Sequence, residues 1–138
     1  MILLDTVVLS ELRKSRPNPA VVAYLQSQAT DSIYLSVLTL GEIEAGIEKQ
    51  RKVSPEFAEE LALWLMQTEL QFAPFILPVT PLIARLWGRL SVQTGSSGID
   101  NLIAATALCH NLTVVTRNVK DFAPTGVRVV NPFGDGGF

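Results

Sequence analysis

Asp5, Glu42, Asp100 and Asp121 stand where carboxylates can do chemistry rather than solvate a surface. Asp5 directly follows the apolar run Ile2–Leu4, and in open α/β sheets ligands bind at the carboxyl ends of strands, where the chain order reverses. The same Asp could instead cap a helix over Thr6–Lys14. Glu42 lies in Leu40-Gly41-Glu42-Ile43-Glu44, and Thr39 with Glu42 also matches a capping box, in which the Glu reaches back to the cap amide. Asp100 opens the segment Asp100-Asn101-Leu102-Ile103-Ala104-Ala105-Thr106-Ala107-Leu108. An acid in a first helical turn suits the helix dipole. This helix is apolar almost all round and must be buried, so an unpaired carboxylate at its mouth is costly and a metal ion would relieve it. Thr116-Arg117-Asn118-Val119-Lys120-Asp121-Phe122 follows Thr113–Val115 and again sets a hydroxyl and an acid beyond a strand; a polar turn is its plain reading. Singly each residue has a bland role. Together they place acids after two strands and at the starts of two helices, which could converge at one sheet edge. Hard oxygen ligands of this kind suit Mg²⁺ or Mn²⁺. Such ions generate hydroxide from water, orient a phosphodiester and stabilise its leaving oxygen.

The elements that must position these acids are legible from pattern. Ile2–Leu4, Ile33–Leu35 and Thr113–Val115 read as strands, with Phe75–Val79 and Val127–Val130 as weaker ones; their lack of polar alternation suits a parallel sheet covered on both faces. Asn18-Pro19, Ser54-Pro55 and Thr80-Pro81 each set a capping residue before a proline at the first helical position. Two further helices run from about Val37 to Arg51 and from about Gly98 to His110. Strands alternating with helices predict an α/β three-layer sandwich, a central, mostly parallel sheet flanked by helices. The domain is expected over 1–133, with 134–138 a flexible tail.

Composition bounds the function. A chain of 138 residues with 48% hydrophobic and 17% charged residues is one globular domain. Cys109 is the single cysteine, so no internal disulfide forms. No apolar run approaches the roughly 20 residues of a membrane span, and a soluble, cytoplasmic protein is expected. The net charge of −2 argues against a simple nucleic-acid binder, which gains affinity from a basic face. It leaves a nuclease open, because bound cations invert the local charge of an acidic site.

Met1-Ile2-Leu3-Leu4-Asp5-Thr6, Leu40-Gly41-Glu42, Ile99-Asp100-Asn101-Leu102-Ile103-Ala104-Ala105-Thr106-Ala107 and Thr116-Arg117-Asn118-Val119-Lys120-Asp121-Phe122 resemble the ordered motifs of PIN-domain proteins. The likeness is closest to VapC-type toxins of toxin–antitoxin pairs and the similar FitB branch, and it runs to Val129-Val130-Asn131-Pro132-Phe133. The resemblance implies a Mg²⁺- or Mn²⁺-dependent endoribonuclease. Asp5 and Asp100 match its metal-binding aspartates, Glu42 its second-motif acid, Asp121 the last acid of this branch and Thr116 the supporting hydroxyl. In other branches an acid sits at the position of Asn118. The resemblance also implies an RNA substrate, a homodimer and a cognate antitoxin protein that docks the complex on its operator DNA.

The chain departs from that pattern at Val7, where such proteins usually carry Asn. An Asn there can orient the neighbouring carboxylates; losing such support typically costs about 10–100-fold in metal affinity or activity. The departure sustains a second reading, an impaired PIN-fold regulatory partner that binds an antitoxin-like protein and operator DNA. A phosphoacceptor domain would need paired acids at the first strand and a lysine ending a late one, which the chain lacks. Arg13, Lys14 and Arg16, like Arg85 and Arg89, read as solvated cations. Trp64 and Trp87 read as core or dimer contacts, Cys109 as core, and His110 as a favourable C-terminal charge.

Overall fold

A computed structural model describes residues 1–134. Five strands, β1 (Ile2–Leu4), β2 (Ile33–Ser36), β3 (Ile76–Leu77), β4 (Thr113–Val115) and β5 (Val129–Val130), form one sheet in the order β3-β2-β1-β4-β5. Every pairing is parallel. Among the described residues seven α-helices connect them: α1 (Thr6–Glu11), α2 (Pro19–Gln26), α3 (Val37–Arg51), α4 (Pro55–Phe72), α5 (Pro81–Thr94), α6 (Ile99–His110) and α7 (Val119–Phe122).

Strand alternation divides the core. Ile2, Leu4, Ile33, Leu35 and Val115 pack with Val8, Leu9, Val21, Ile43, Ile47, Ala58 and Leu65 of α1–α4. Leu3 and Val114 point the other way, onto Ile103, Ala104 and Ala107 of α6 and Phe122 of α7. Ile83 and Leu90 of α5 close over Ala105 on the outer side of α6. The expected three-layer sandwich is therefore realised, with period-2 side chains feeding two separate helical layers.

Most start signals act as expected. Asn18 Oδ1 accepts from the Ala20 amide at 2.8 Å and Thr80 Oγ1 from the Ile83 amide at 3.2 Å. Ser54 makes no side-chain cap; its carbonyl accepts the Ala58 amide at 3.0 Å instead. The first helix stops at Glu11 rather than Lys14, where backbone turns take over. The two weak strands shrink to two residues each, β3 ending at Pro78, which has no amide to donate. Cys109, expected in the core, is exposed. It sits with Leu108 and His110 in the last turn of α6, which runs beyond its cover. Phe133 is buried against the first cluster, while the expected tail lies, Gly134 apart, outside the described residues. Among the described residues no helix is long and apolar enough to cross a membrane.

Candidate active site

The register of β1 and β4 builds the first corner of the site. Leu4 pairs with Val115, so Asp5 and Thr116 are the next residues out on adjacent strands. The Asp5 amide continues the ladder to the Val115 carbonyl at 3.0 Å. Thr116 Oγ1 then donates to Asp5 Oδ2 at 2.7 Å, and the Thr6 amide donates to Oδ1 at 2.8 Å. Asp5 is 4% exposed and Thr116 fully buried. The chain runs outward from β1 to β2 and β3 on one side and to β4 and β5 on the other. The corner thus lies at the switch point where such sheets bind ligands. Asp5 caps α1 and lies near enough to Asp100 and Asp121 for their charges to repel, so the cap reading and a place among the acids are compatible.

Glu42 arrives from α3. Its helix is capped by Ser36, whose Oγ accepts from the Leu38 amide at 3.1 Å, so Thr39 and Glu42 do not form the capping box their spacing allows. Instead Thr6 Oγ1 donates to Glu42 Oε1 at 2.6 Å and lies 3.3 Å from Thr39 Oγ1. This aims Glu42 across the sheet edge. Asp100 sits in the first turn of α6 and Asp121 in α7. Glu42, Asp100 and Asp121, with Lys120, line one cleft of about 550 Å³. Asn118, Asp5 and Thr116 are not among its lining residues.

The electrostatics are those of crowded acids. Burial first, then repulsion from Asp5, Asp121 and Glu42, together lift the Asp100 carboxyl to about 6. Asp5 is also raised, by burial first and by Asp121, although the Thr116 hydroxyl and Thr6 amide pull it down. That is an environment asking for a cation.

The PIN-domain family model matches residues 2–126 of this sequence. The chain belongs to the PIN-domain family. It is 37% identical to Toxin FitB of Neisseria gonorrhoeae, over 98% of this chain and 100% of that protein. It is 33% identical to VapC ribonuclease Y4jK of Sinorhizobium fredii, over 96% and 98% respectively. The crystal structure of FitAcB from N. gonorrhoeae superposes with a TM-score of 0.84 at 35% identity, covering 97% of this chain and 99% of that one.

Within this PIN domain the donor chemistry fits a divalent ion: hard carboxylate oxygens with a surplus of negative charge. Among the described residues no three of the acids are drawn together tightly enough to enclose one. Val7 packs against the α1–α4 side of the core, so support of the acids falls to Thr6 and Thr116. Arg85 and Arg89 line a separate surface on α5, and Arg13 stacks over the Phe57 ring at 5.5 Å. Trp64 packs on the core beneath α4, Trp87 on the α5–α6 contact.

Three further residues at the site carry only weak sequence signals. Thr6 was legible only as part of a motif, because its partner lies 36 residues away. Asn101 donates to Thr94 Oγ1 at 2.7 Å and to the Ser96 carbonyl at 2.5 Å, tying down the loop that presents Asp100. Lys120 was legible only by its place beside Asp121.

Proposed function

We propose that this protein is a divalent-metal-dependent endoribonuclease, the toxin of a toxin–antitoxin pair. The observation that carries this is Asp100, held near 6 by burial and by three other acids at the switch point of the sheet. Its support from relatives is that one is named a ribonuclease and another a toxin.

Asp5, Asp100 and Asp121 would hold Mg²⁺ or Mn²⁺. When bound, the ion supplies an activated water and offsets the charge that builds on the phosphodiester. Thr116 and the Thr6 amide fix both oxygens of Asp5, so this ligand is set before any ion arrives. Thr6 occupies Glu42 Oε1, leaving Oε2 to orient a water or contribute as a ligand. Asn101 holds the mouth of α6 and with it Asp100.

The family resemblance extends the reading to a cytoplasmic homodimer restrained by a cognate antitoxin, which in turn carries it to operator DNA. Exposed apolar side chains, Leu63, Met66 and Leu70 on α4 and Leu82 and Val92 on α5, support protein partners. Val7 favours the second reading, a regulatory module of impaired activity.

The deciding experiment incubates purified protein with tRNA and structured rRNA fragments in Mg²⁺, Mn²⁺ or EDTA, beside Asp100→Asn prepared identically. Cleavage that requires metal and disappears in the variant is the expected result. Equal cleavage in both preparations sinks the assignment, and no cleavage in either transfers the function to the regulatory reading.

A further inference from the structure

Lys120 is the basic side chain among the residues that line the acidic cleft. It is exposed on α7, beside Asp121, on a backbone anchored by the fully buried Phe122 and by the bond from the Asp121 amide to the Asn118 carbonyl at 3.1 Å. A lysine placed to balance this charge would pair with one of the acids, as Lys14 pairs with Glu11 at 2.8 Å. Among the described residues Lys120 joins no ion pair. Nor is its charge spent on Asp100, whose environment contains repulsion from three carboxylates and no relief from a cation. The ammonium therefore stands unpaired at the rim of a cleft that otherwise repels anions. A flexible stem with three donors suits a phosphate as a point charge.

We propose that Lys120 is a phosphate-binding residue, whose ammonium contacts an RNA backbone phosphate flanking the scissile one and so sets the strand's register across the acids. This rests on the ribonuclease reading for its ligand, an extended single strand. It adds to that reading a fixed entry side, since Lys120 and Asp121 share α7 and Glu42 arrives from α3. Phosphate contacts of this type carry affinity without base preference.

The test titrates full-length protein against a short fluorescein-labelled single-stranded RNA in EDTA over a range of salt, reading anisotropy. Lys120→Ala, Lys120→Arg and Lys52→Ala, a control at the far end of α3, are compared with wild type. Loss of one phosphate contact lowers the slope of log affinity against log salt by about 0.7, and weakens binding about fivefold near about 0.1 M salt. Lys120→Arg restores both, and Lys52→Ala changes neither. In Mg²⁺, Lys120→Ala raises KM while kcat holds. Wild-type slope and affinity in Lys120→Ala overturn the proposal, as does an absence of salt-dependent RNA binding by wild type. A wild type that binds RNA through Lys120 yet never cuts it refutes the nuclease reading alone. Cleavage with an unchanged slope in Lys120→Ala refutes the contact alone.

Discussion

Glu11 and Asp100 are both carboxylates in the end turns of helices, and their surroundings push them in opposite directions. Glu11, 8% exposed at the end of α1, accepts from Lys14 Nζ at 2.8 Å and from the Asn18 amide at 2.9 Å. The Lys14 bond first, then the Asn18 amide, hold it below the usual carboxylate range, with Arg117 adding attraction. Asp100 meets burial and three acids, and is lifted to about 6. One carboxylate is satisfied by its own chain and closes the turn between α1 and α2. The other is left to be satisfied from outside. A saturated acid is structure; a crowded one marks a candidate site.

The sharpest break in that comparison is Asp100→Asn. It should lower cleavage by about 10²–10³-fold, the scale of losing one electrostatic stabiliser of a transition state, measured as initial rates on a defined RNA in Mg²⁺. Its fold should survive, so intact circular dichroism must accompany the lost rate. Next comes Thr116→Val, which removes a donor from a buried carboxylate. We expect a loss of about 10–100-fold in metal affinity or rate, and a stability cost of about 1–3 kcal/mol from the unsatisfied acid, read by urea unfolding.

The pH dependence sharpens the contrast. A carboxylate raised in the native state binds its proton more tightly there than in the unfolded chain, so stability rises as pH falls. For Asp100 the window runs from above about 6 down towards the ordinary 3.8. Metal-free protein should gain about 1 kcal/mol between neutral and weakly acid pH, an amount already reduced for solvent screening of a half-open group. Asp100→Asn should lack most of this gain, and Mg²⁺ should raise the Tm more at neutral pH than at acid pH. The smallest effect is expected of Glu11→Gln. Its depressed carboxyl contributes stability at neutral pH that is lost as pH falls through its native value. The variant should melt slightly earlier at neutral pH, match wild type in acid, and cut RNA normally.

Much of this was written in local sequence. The strands follow from apolar runs and α2, α4 and α5 from proline starts, because those signals involve near neighbours; α3 and α6 rest on helical patterning without such a start. Asp5 and Thr116 were legible because a strand end is a local fact that the sheet makes global. Glu42 was harder: the spacing of Thr39 and Glu42 pointed to a capping box, and only packing of α1 against α3 brings Thr6 to it. Cys109 shows the same limit, since an apolar helix pattern cannot say where the neighbouring layer stops. Lys120 could be placed next to an acid but not known to be unpaired.

The Asp5–Thr116 bond also sets a clock. Its partners are 111 residues apart, and synthesis at about 5–20 residues per second needs roughly 6–22 s to span them. Until Thr116 has left the ribosome and β4 has slotted in beside β1, Asp5 lacks the hydroxyl that holds it. While those 111 residues are made, the growing chain carries its first acid without an assembled corner, and the corner forms in one step when β4 docks.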